Sequence, residues 1–205
     1  MSTYKTAQEA FWAGQFGDEY AARNQSPTLL AANLSFFSRI LATTGPIESV
    51  TELGANIGMN LRALTALRPG IATSAVEINS SACAQLRQIP NLKVIEGSFL
   101  EHQPPRADLA FIKGVLIHIN PDMLERAYDA LAGAATNWAL IAEYYNPTPM
   151  TVPYRGHTDR LFKRDFAGEF MDRHAHWKLA DYGFLYRRDP TFPQDDITWF
   201  LMRRA

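Results

Sequence analysis

Glu52-Leu53-Gly54-Ala55-Asn56-Ile57-Gly58 is the stretch on which the fold turns. It closes a short apolar run at 47–53 and precedes 60–67, whose apolar residues recur at helical spacing. A strand therefore passes through a glycine-rich turn into a helix. Gly54 and Gly58 can take positive φ and let a ligand approach the backbone, and the amides at a helix start bind polar groups. Such glycines also make tight turns that bind nothing, so the surroundings have to decide.

Downstream the alternation continues, with strands at 72–78, 92–95, 107–113 and 138–144 and helices at 80–88 and 121–134. Strand and helix in turn require crossover connections, which give a parallel sheet covered on both faces. The fold class is α/β, doubly wound. Upstream, an amphipathic helix at 28–42 stops at Thr43-Thr44-Gly45-Pro46. The last third differs: a helix at 164–174 is followed by two strands, 177–186 and 197–203, separated only by the Asp189-Pro190-Thr191-Phe192-Pro193 turn. With no helix between them they predict an antiparallel pair at one edge of a seven-stranded, mostly parallel sheet whose last strand is reversed. An ordinary dinucleotide-binding sheet has a parallel sixth strand instead.

In open parallel sheets ligands sit beyond the carboxyl ends of the strands, where the strand order reverses. Glu77 ends the second strand, about twenty residues past the turn, where a carboxylate can accept both hydroxyls of an adenosine ribose. The pair fits NAD or S-adenosylmethionine (SAM). A P-loop is absent, because the turn lacks the Gly-Lys-Ser/Thr ending that holds a triphosphate. Glu52 favours SAM, since a carboxylate there repels a pyrophosphate but accepts from an ammonium.

Nearly the whole sequence resembles the class I SAM-dependent methyltransferases, with their seven strands and reversed last strand. More narrowly, the segments Phe11-Trp12-Ala13-Gly14-Gln15-Phe16-Gly17-Asp18-Glu19-Tyr20, 52–60, Gly114-Val115-Leu116-Ile117-His118-Ile119-Asn120-Pro121 and Phe192-Pro193-Gln194-Asp195-Asp196-Ile197-Thr198-Trp199-Phe200 are similar to small methylases from gene clusters for pseudaminic acid, a bacterial nonulosonic sugar. Asn56 departs from the superfamily loop, which often has glycine there; asparagine tolerates positive φ.

The resemblance implies further cofactor contacts. They are Ala55 and Ile78 beside the turn and the acid, and Gly97, Ser98 and Phe99 near the adenine, although Phe99 equally fits a core position. Backbone groups at Lys113, Gly114 and Leu116 would meet the methionine part. Trp12 and Tyr20, with Arg23 to pair the cofactor carboxylate, read as a lid, or as a helix packed on the sheet edge. This makes 1–45 a helical lid within a single 1–205 domain, and 146–165 a substrate loop.

For the acceptor, His118 lies just past the fourth strand and is the candidate base; the competing reading is a histidine bonded to its adjoining loop. Glu143, Tyr144, Tyr145 and Asn146 end the fifth strand, where Tyr144 would orient the acceptor. Tyr154, Arg155, His157, Arg160 and Lys163, beside Arg164, concentrate positive charge and suit a carboxylate- or phosphate-bearing acceptor; the alternative is a solvated basic segment paired with Asp159 and Asp165.

A formal net charge of −1 over 205 residues gives no general attraction to nucleic acid or an anionic membrane. One cysteine, Cys83, forbids an internal disulfide, and no long apolar stretch or signal-peptide core is present. The expectation is a cytoplasmic enzyme, monomer or homodimer, with a small anionic partner, no nucleic acid, no membrane and no metal. His174 and His176 are close in sequence, but on a helix they would point apart. Two rival readings remain, an NAD-dependent oxidoreductase and a non-catalytic SAM-binding partner protein.

Overall fold

The computed structural model describes residues 4–23 and 26–205. Its centre is a sheet of seven strands: β1 (Ser49–Leu53), β2 (Ala72–Glu77), β3 (Leu92–Glu96), β4 (Ala107–Lys113), β5 (Ala135–Glu143), β8 (Trp177–Leu185) and β9 (Ile197–Arg204). They lie in the order β3-β2-β1-β4-β5-β9-β8. Pairings from β3 through β5 are parallel, whereas β9 runs antiparallel to both β5 and β8. The order reverses between β1 and β4. The expected antiparallel pair is present, with the last strand inserted between β5 and the edge strand β8.

Helices cover both faces. On one face α3 (Pro27–Thr44) and α4 (Met59–Leu67) bury Phe36, Phe37, Ile40, Leu61 and Leu64 against Val50, Leu109, Phe111, Leu140 and Trp199. On the other, α6 (Leu124–Ala134) and α7 (Phe166–Arg173) bury Leu131, Phe166 and Phe170 against Ala110, Ile112, Ile141 and Trp177. Successive residues of β4 thus point to opposite faces and both sets are buried, which is why that strand reads as a continuous apolar run. The remaining helices are α1 (Ala7–Ala13), α2 (Gln15–Arg23) and α5 (Ser80–Leu86). Thr6 and Glu9 close a capping box on α1, and Asn79 caps α5 by accepting from the Ala82 amide at 2.8 Å.

Two expected boundaries shift and one element is added. The segment before α6 is two single 3₁₀ turns, 116–118 and 121–123; Asn120 accepts from the Asp122 amide there, and the regular helix starts at Leu124. β5 begins at Ala135, directly after α6, because the Ala135 amide still donates to Leu131 while its backbone is already extended. The loop after β5 contains a small hairpin of β6 (Met150–Thr151) and β7 (Phe162–Lys163) that its proline-rich sequence does not announce.

His174 and His176 do not point apart. Both lie beyond the end of α7, and their rings come within 6.0 Å, with His174 Nε2 facing Asp129 Oδ1 at 3.2 Å. Among the described residues no group of three or more His, Cys, Asp or Glu could hold a metal ion, and no helix is long and apolar enough to cross a membrane.

Candidate active site

The carboxyl ends of β1 to β4 open into a cleft holding about 1370 Å³ of empty space, its mouth included. The turn after β1 shapes its floor. Gly54, Asn56 and Gly58 have φ of 78°, 48° and 80°. A Cβ on Gly54 would lie 2.6 Å from Val115 Cγ2, so both the dihedral and the space demand glycine. Asn56 holds its left-handed conformation while its amide donates to Glu77 Oε2 at 2.7 Å. Glu77 Oε1 accepts from the Asn79 amide at 2.8 Å. Burial pushes the Glu77 carboxyl up, and the two amides pull it back towards the ionised form.

The opposite wall faces α3 and α4. Glu52 is buried, accepts from Asn60 Nδ2 at 2.6 Å through Oε1, and leaves Oε2 without a partner. Burial raises its carboxyl to about 8, the Asn60 bond and the Lys113 ammonium opposing. Lys113 lines the same wall; burial lowers its ammonium, and Glu52, Asp195 and Glu143 oppose that shift. Asn33 from α3 and Gln194 from the segment before β9 are also buried there, as are their unpartnered side-chain oxygens.

An aromatic wall completes the cleft. The Trp12 ring lies 4.6 Å from the His118 imidazole and 5.2 Å from Tyr20. Asn79 Nδ2 donates to the Trp12 carbonyl at 3.3 Å and to Asp18 Oδ1 at 2.9 Å, tying α1 and α2 to the corner that carries Glu77. Gly17 allows this approach, since a Cβ there would run into the Trp12 carbonyl oxygen. His118 is buried, and its Nδ1 sits 2.6 Å from the Arg160 carbonyl. A carbonyl only accepts, so Nδ1 carries the proton and Nε2 is the ring's acceptor. Burial lowers the imidazole to about 4.

Of the residues read from the sequence, Trp12, Tyr20, Glu52, Gly54, Ala55, Asn56, Glu77, Ile78, Gly97, Ser98, Phe99, Lys113, Gly114 and His118 line the cleft. Phe99 is at once part of the core and of the lining. Gly58, Leu116 and Arg23 do not line it: Gly58 caps α4, Leu116 is core with its amide on Glu143, and Arg23 is exposed at the end of α2. Glu143 does not face an acceptor. Its Oε1 accepts from the Val115 and Leu116 amides, both at 2.8 Å, so it braces the loop after β4 from below.

The substrate residues expected after β5 lie outside the lining. The Tyr145 ring packs near Phe200, and Asn146 Nδ2 turns back to the Thr148 carbonyl at 2.6 Å. Tyr144 bonds to Asp195, which does line the cleft, and Lys163 Nζ sits 5.4 Å from the Tyr144 ring centre. Tyr154 lies 5.2 Å from the His118 ring, His157 lies 5.2 Å from Phe11, and Arg155 and Arg160 lie over Phe16 and Phe11. Of the expected acid pairings, Arg160 meets Asp159; Arg164 pairs with Glu169, because Asp165 caps α7. The basic loop is therefore a rim joined to α1 and α2 through edge-on ring contacts and arginines lying over Phe11 and Phe16. Sequence reading missed Gln8, Asn33, Asn60, Asn79, Gln194 and Asp195, all in the lining. Only Asn79 carried a local signal, as an asparagine before Ser80-Ser81 at a helix start.

No protein-family model matches this chain, and no curated protein matches it. Solved structures do. A 1,6-didemethyltoxoflavin N1-methyltransferase from Burkholderia thailandensis, crystallised with bound 1,6-didemethyltoxoflavin and S-adenosylhomocysteine, is similar over 100% of this chain and 93% of its own, at 14% identity and TM-score 0.70. The magnesium protoporphyrin IX methyltransferase of Synechocystis PCC 6803, with bound S-adenosylhomocysteine, is similar over 98% and 100%, at 12% identity and TM-score 0.70. The mitomycin 7-O-methyltransferase is similar over 98% of this chain, which spans only 61% of that protein, at 15% identity and TM-score 0.69. The fold is the Rossmann-like class I methyltransferase fold.

Proposed function

We propose that this chain is a SAM-dependent methyltransferase acting on a small acceptor molecule. The observation that carries the reading is one cleft, at the reversal of strand order, with a buried carboxylate at each of two adjacent strand ends: Glu77 for ribose hydroxyls and Glu52 for an ammonium. An ammonium stabilises the ionised form of Glu52 that burial disfavours, whereas a pyrophosphate beside it would disfavour that form further, which favours SAM over NAD. The solved structures of this fold that hold S-adenosylhomocysteine point the same way.

The bound sulfonium would supply the methyl group and leave as a neutral thioether. The residues of the chain bring the acceptor in line and exclude water, and His118 Nε2 takes the hydroxyl proton. An imidazole near 4 is a weak base. It suffices here because an oxygen that has gained a methyl group becomes strongly acidic. Arg155 and Lys163 on the rim, over Phe16 and beside Tyr144, favour an acceptor bearing a carboxylate or phosphate. A nonulosonic sugar acid methylated on oxygen is the narrowest form of this reading, supported by the four segments similar to the pseudaminic acid methylases.

Calorimetry with SAM and with NAD tests the core of it. SAM is expected to bind and to release up to about one proton near pH 7, seen as a heat that changes with the ionisation enthalpy of the buffer. The Glu52 carboxyl, at about 8 without ligand, ionises when an ammonium arrives. Binding of NAD but not SAM would assign the turn to a dinucleotide.

A further inference from the structure

The two faces of the β8–β9 pair differ. On one, α3 covers the strands: Arg39 lies 4.6 Å over the Trp199 ring, Phe36 meets that ring edge-on at 5.9 Å, and Leu185 packs into the same core. On the other, α7 reaches the start of β8, where the Phe170 and Trp177 rings lie 5.8 Å apart. Beyond Trp177 that face is bare. Register sets Leu179, Tyr182 and Phe184 there, opposite Met202, Phe200 and Thr198 of β9. All three are exposed, Tyr182 by 62% and Phe184 by 55%. The outward face of a solvated antiparallel pair carries polar residues; here it carries aromatic ones. Tyr145 and Tyr182 lie 5.9 and 6.5 Å from Phe200, and exposed Tyr186 lies 6.0 Å from Phe184, so the rings form one patch. None of its residues is charged. Arg164 and Arg187 at its border are paired, with Glu169 and Asp196.

The edge of β8 does not invite a further strand at this point. The Tyr182 amide donates to Asp181 Oδ1 at 2.8 Å, the Tyr182 carbonyl accepts from Arg39 at 3.4 Å, and Thr43 donates to the same Asp181 carboxylate at 3.2 Å. A partner therefore meets the face. At ~150–250 Å² for an aromatic side chain, the exposed rings of Tyr145, Tyr182, Phe184 and Tyr186 leave roughly 300–500 Å² bare, as much as the largest patch on an ordinary monomer. Two such patches face to face cover about 600–1,000 Å², and a polar rim around them would bring the contact near the ~1,200 Å² at which specific interfaces begin. We propose that this face joins two copies of the chain, packed sheet against sheet about a two-fold axis. An uncharged patch meets its own copy without like-charge repulsion, and tyrosine hydroxyls both donate and accept, so the surface complements itself. A lipid surface would call for unpaired cations around the rings, and Arg164 and Arg187 are already taken. The contact also reaches the rim of the cleft: the amide of Asn146, next to Tyr145, donates to the Arg164 carbonyl at 3.3 Å, so the patch borders both ends of the 146–165 loop.

Sedimentation equilibrium tests this. The mass is expected to rise from the 23.0 kDa of one chain towards twice that value. The expected Kd is about 1–100 µM, as for interfaces at the small end of the range. Tyr182→Lys and Phe184→Lys set a charge in the contact and should each raise that Kd at least about 10-fold. Their melting temperature at low concentration should stay within about 2 °C of the wild-type value, since both side chains are exposed. Tyr182→Phe keeps the ring and should remain dimeric. SAM affinity should be the same in all three variants, because neither residue lines the cleft. Hydrogen exchange needs no substitution: raising the wild-type concentration should slow exchange across 179–186 and leave β3, at the other edge of the sheet, unchanged. A wild-type chain still monomeric at about 100 µM, or a dimer that survives both lysine substitutions, would overturn the assignment. Binding of a monomeric chain to vesicles of phosphatidylcholine and phosphatidylserine would overturn it in favour of a lipid surface.

Discussion

The corner between β1 and β2 and the loop at 146–165 carry the two halves of the expected site, and they behave differently. At the corner, Glu52, Gly54, Ala55, Asn56 and Glu77 all reach the cleft. In the loop, Tyr154, Arg155, His157, Arg160 and Lys163 all stop at its rim. The corner is set by backbone geometry within a few residues of each group: a positive φ, an amide on a carboxylate, a strand end at a fixed place in the sheet. The position of the loop depends on what it packs against, and here that is Phe11, Phe16 and His118. Function read from spacing is therefore secure where the chain is its own template and shifts where a distant segment supplies the surface.

The sharpest way to break this contrast is at Glu77. Glu77→Ala should reduce SAM affinity by 100-fold or more, because it removes the ribose acceptor, at about 1.5 to 3 kcal/mol for each hydrogen bond to a charge, and frees the Asn56 and Asn79 amides. A variant affinity within about threefold of the wild-type value in calorimetry would show that the corner does not hold the cofactor.

A smaller effect is expected at the seam between the two regions. His118→Gln should lower kcat for a hydroxyl acceptor by about 100-fold with little change in SAM affinity. Because the imidazole sits at about 4 rather than 6.5, the rate should stay level through neutral pH and fall only as pH drops towards 4. Stability follows the opposite group, the unfolded chain. Between about 6.5 and 4 the unfolded histidine takes a proton that the folded one refuses, so stability declines with falling pH across that window, and His118→Gln removes this slope. A rate profile breaking near 6.5 would show that burial does not hold the imidazole down, and persistence of that break in His118→Gln would place another base at the centre.

The smallest effects belong to the rim. Arg155→Ala and Lys163→Ala should each raise the acceptor KM by about 10-fold and leave SAM binding unchanged, since neither residue lines the cleft. Equal, slight changes in both constants would make the basic loop a solvated edge.

The sequence by itself determined the strand order's alternation, the reversed last strand, the glycine turn and its two carboxylates. Each rests on a period of two or about 3.6, or on a residue such as Gly54 whose φ few others tolerate. Local pattern missed the hairpin of β6 and β7, because two-residue strands bury too little to leave a period. It also placed Glu143 in the site, since a strand-end carboxylate looks the same whether it meets a ligand or, as here, the Val115 and Leu116 amides.

Only the tertiary structure decided what fills the cleft's far wall. Asn33 is one polar residue on an otherwise apolar helix face, and Gln194 one glutamine in a turn-rich segment; neither is unusual alone. They become a pair when β9 inserts between β5 and β8 and carries Gln194 to the Ala32 carbonyl. Periodicity records which face of an element is buried, whereas the partner it meets there is fixed by long-range packing, which leaves no regular trace along the chain.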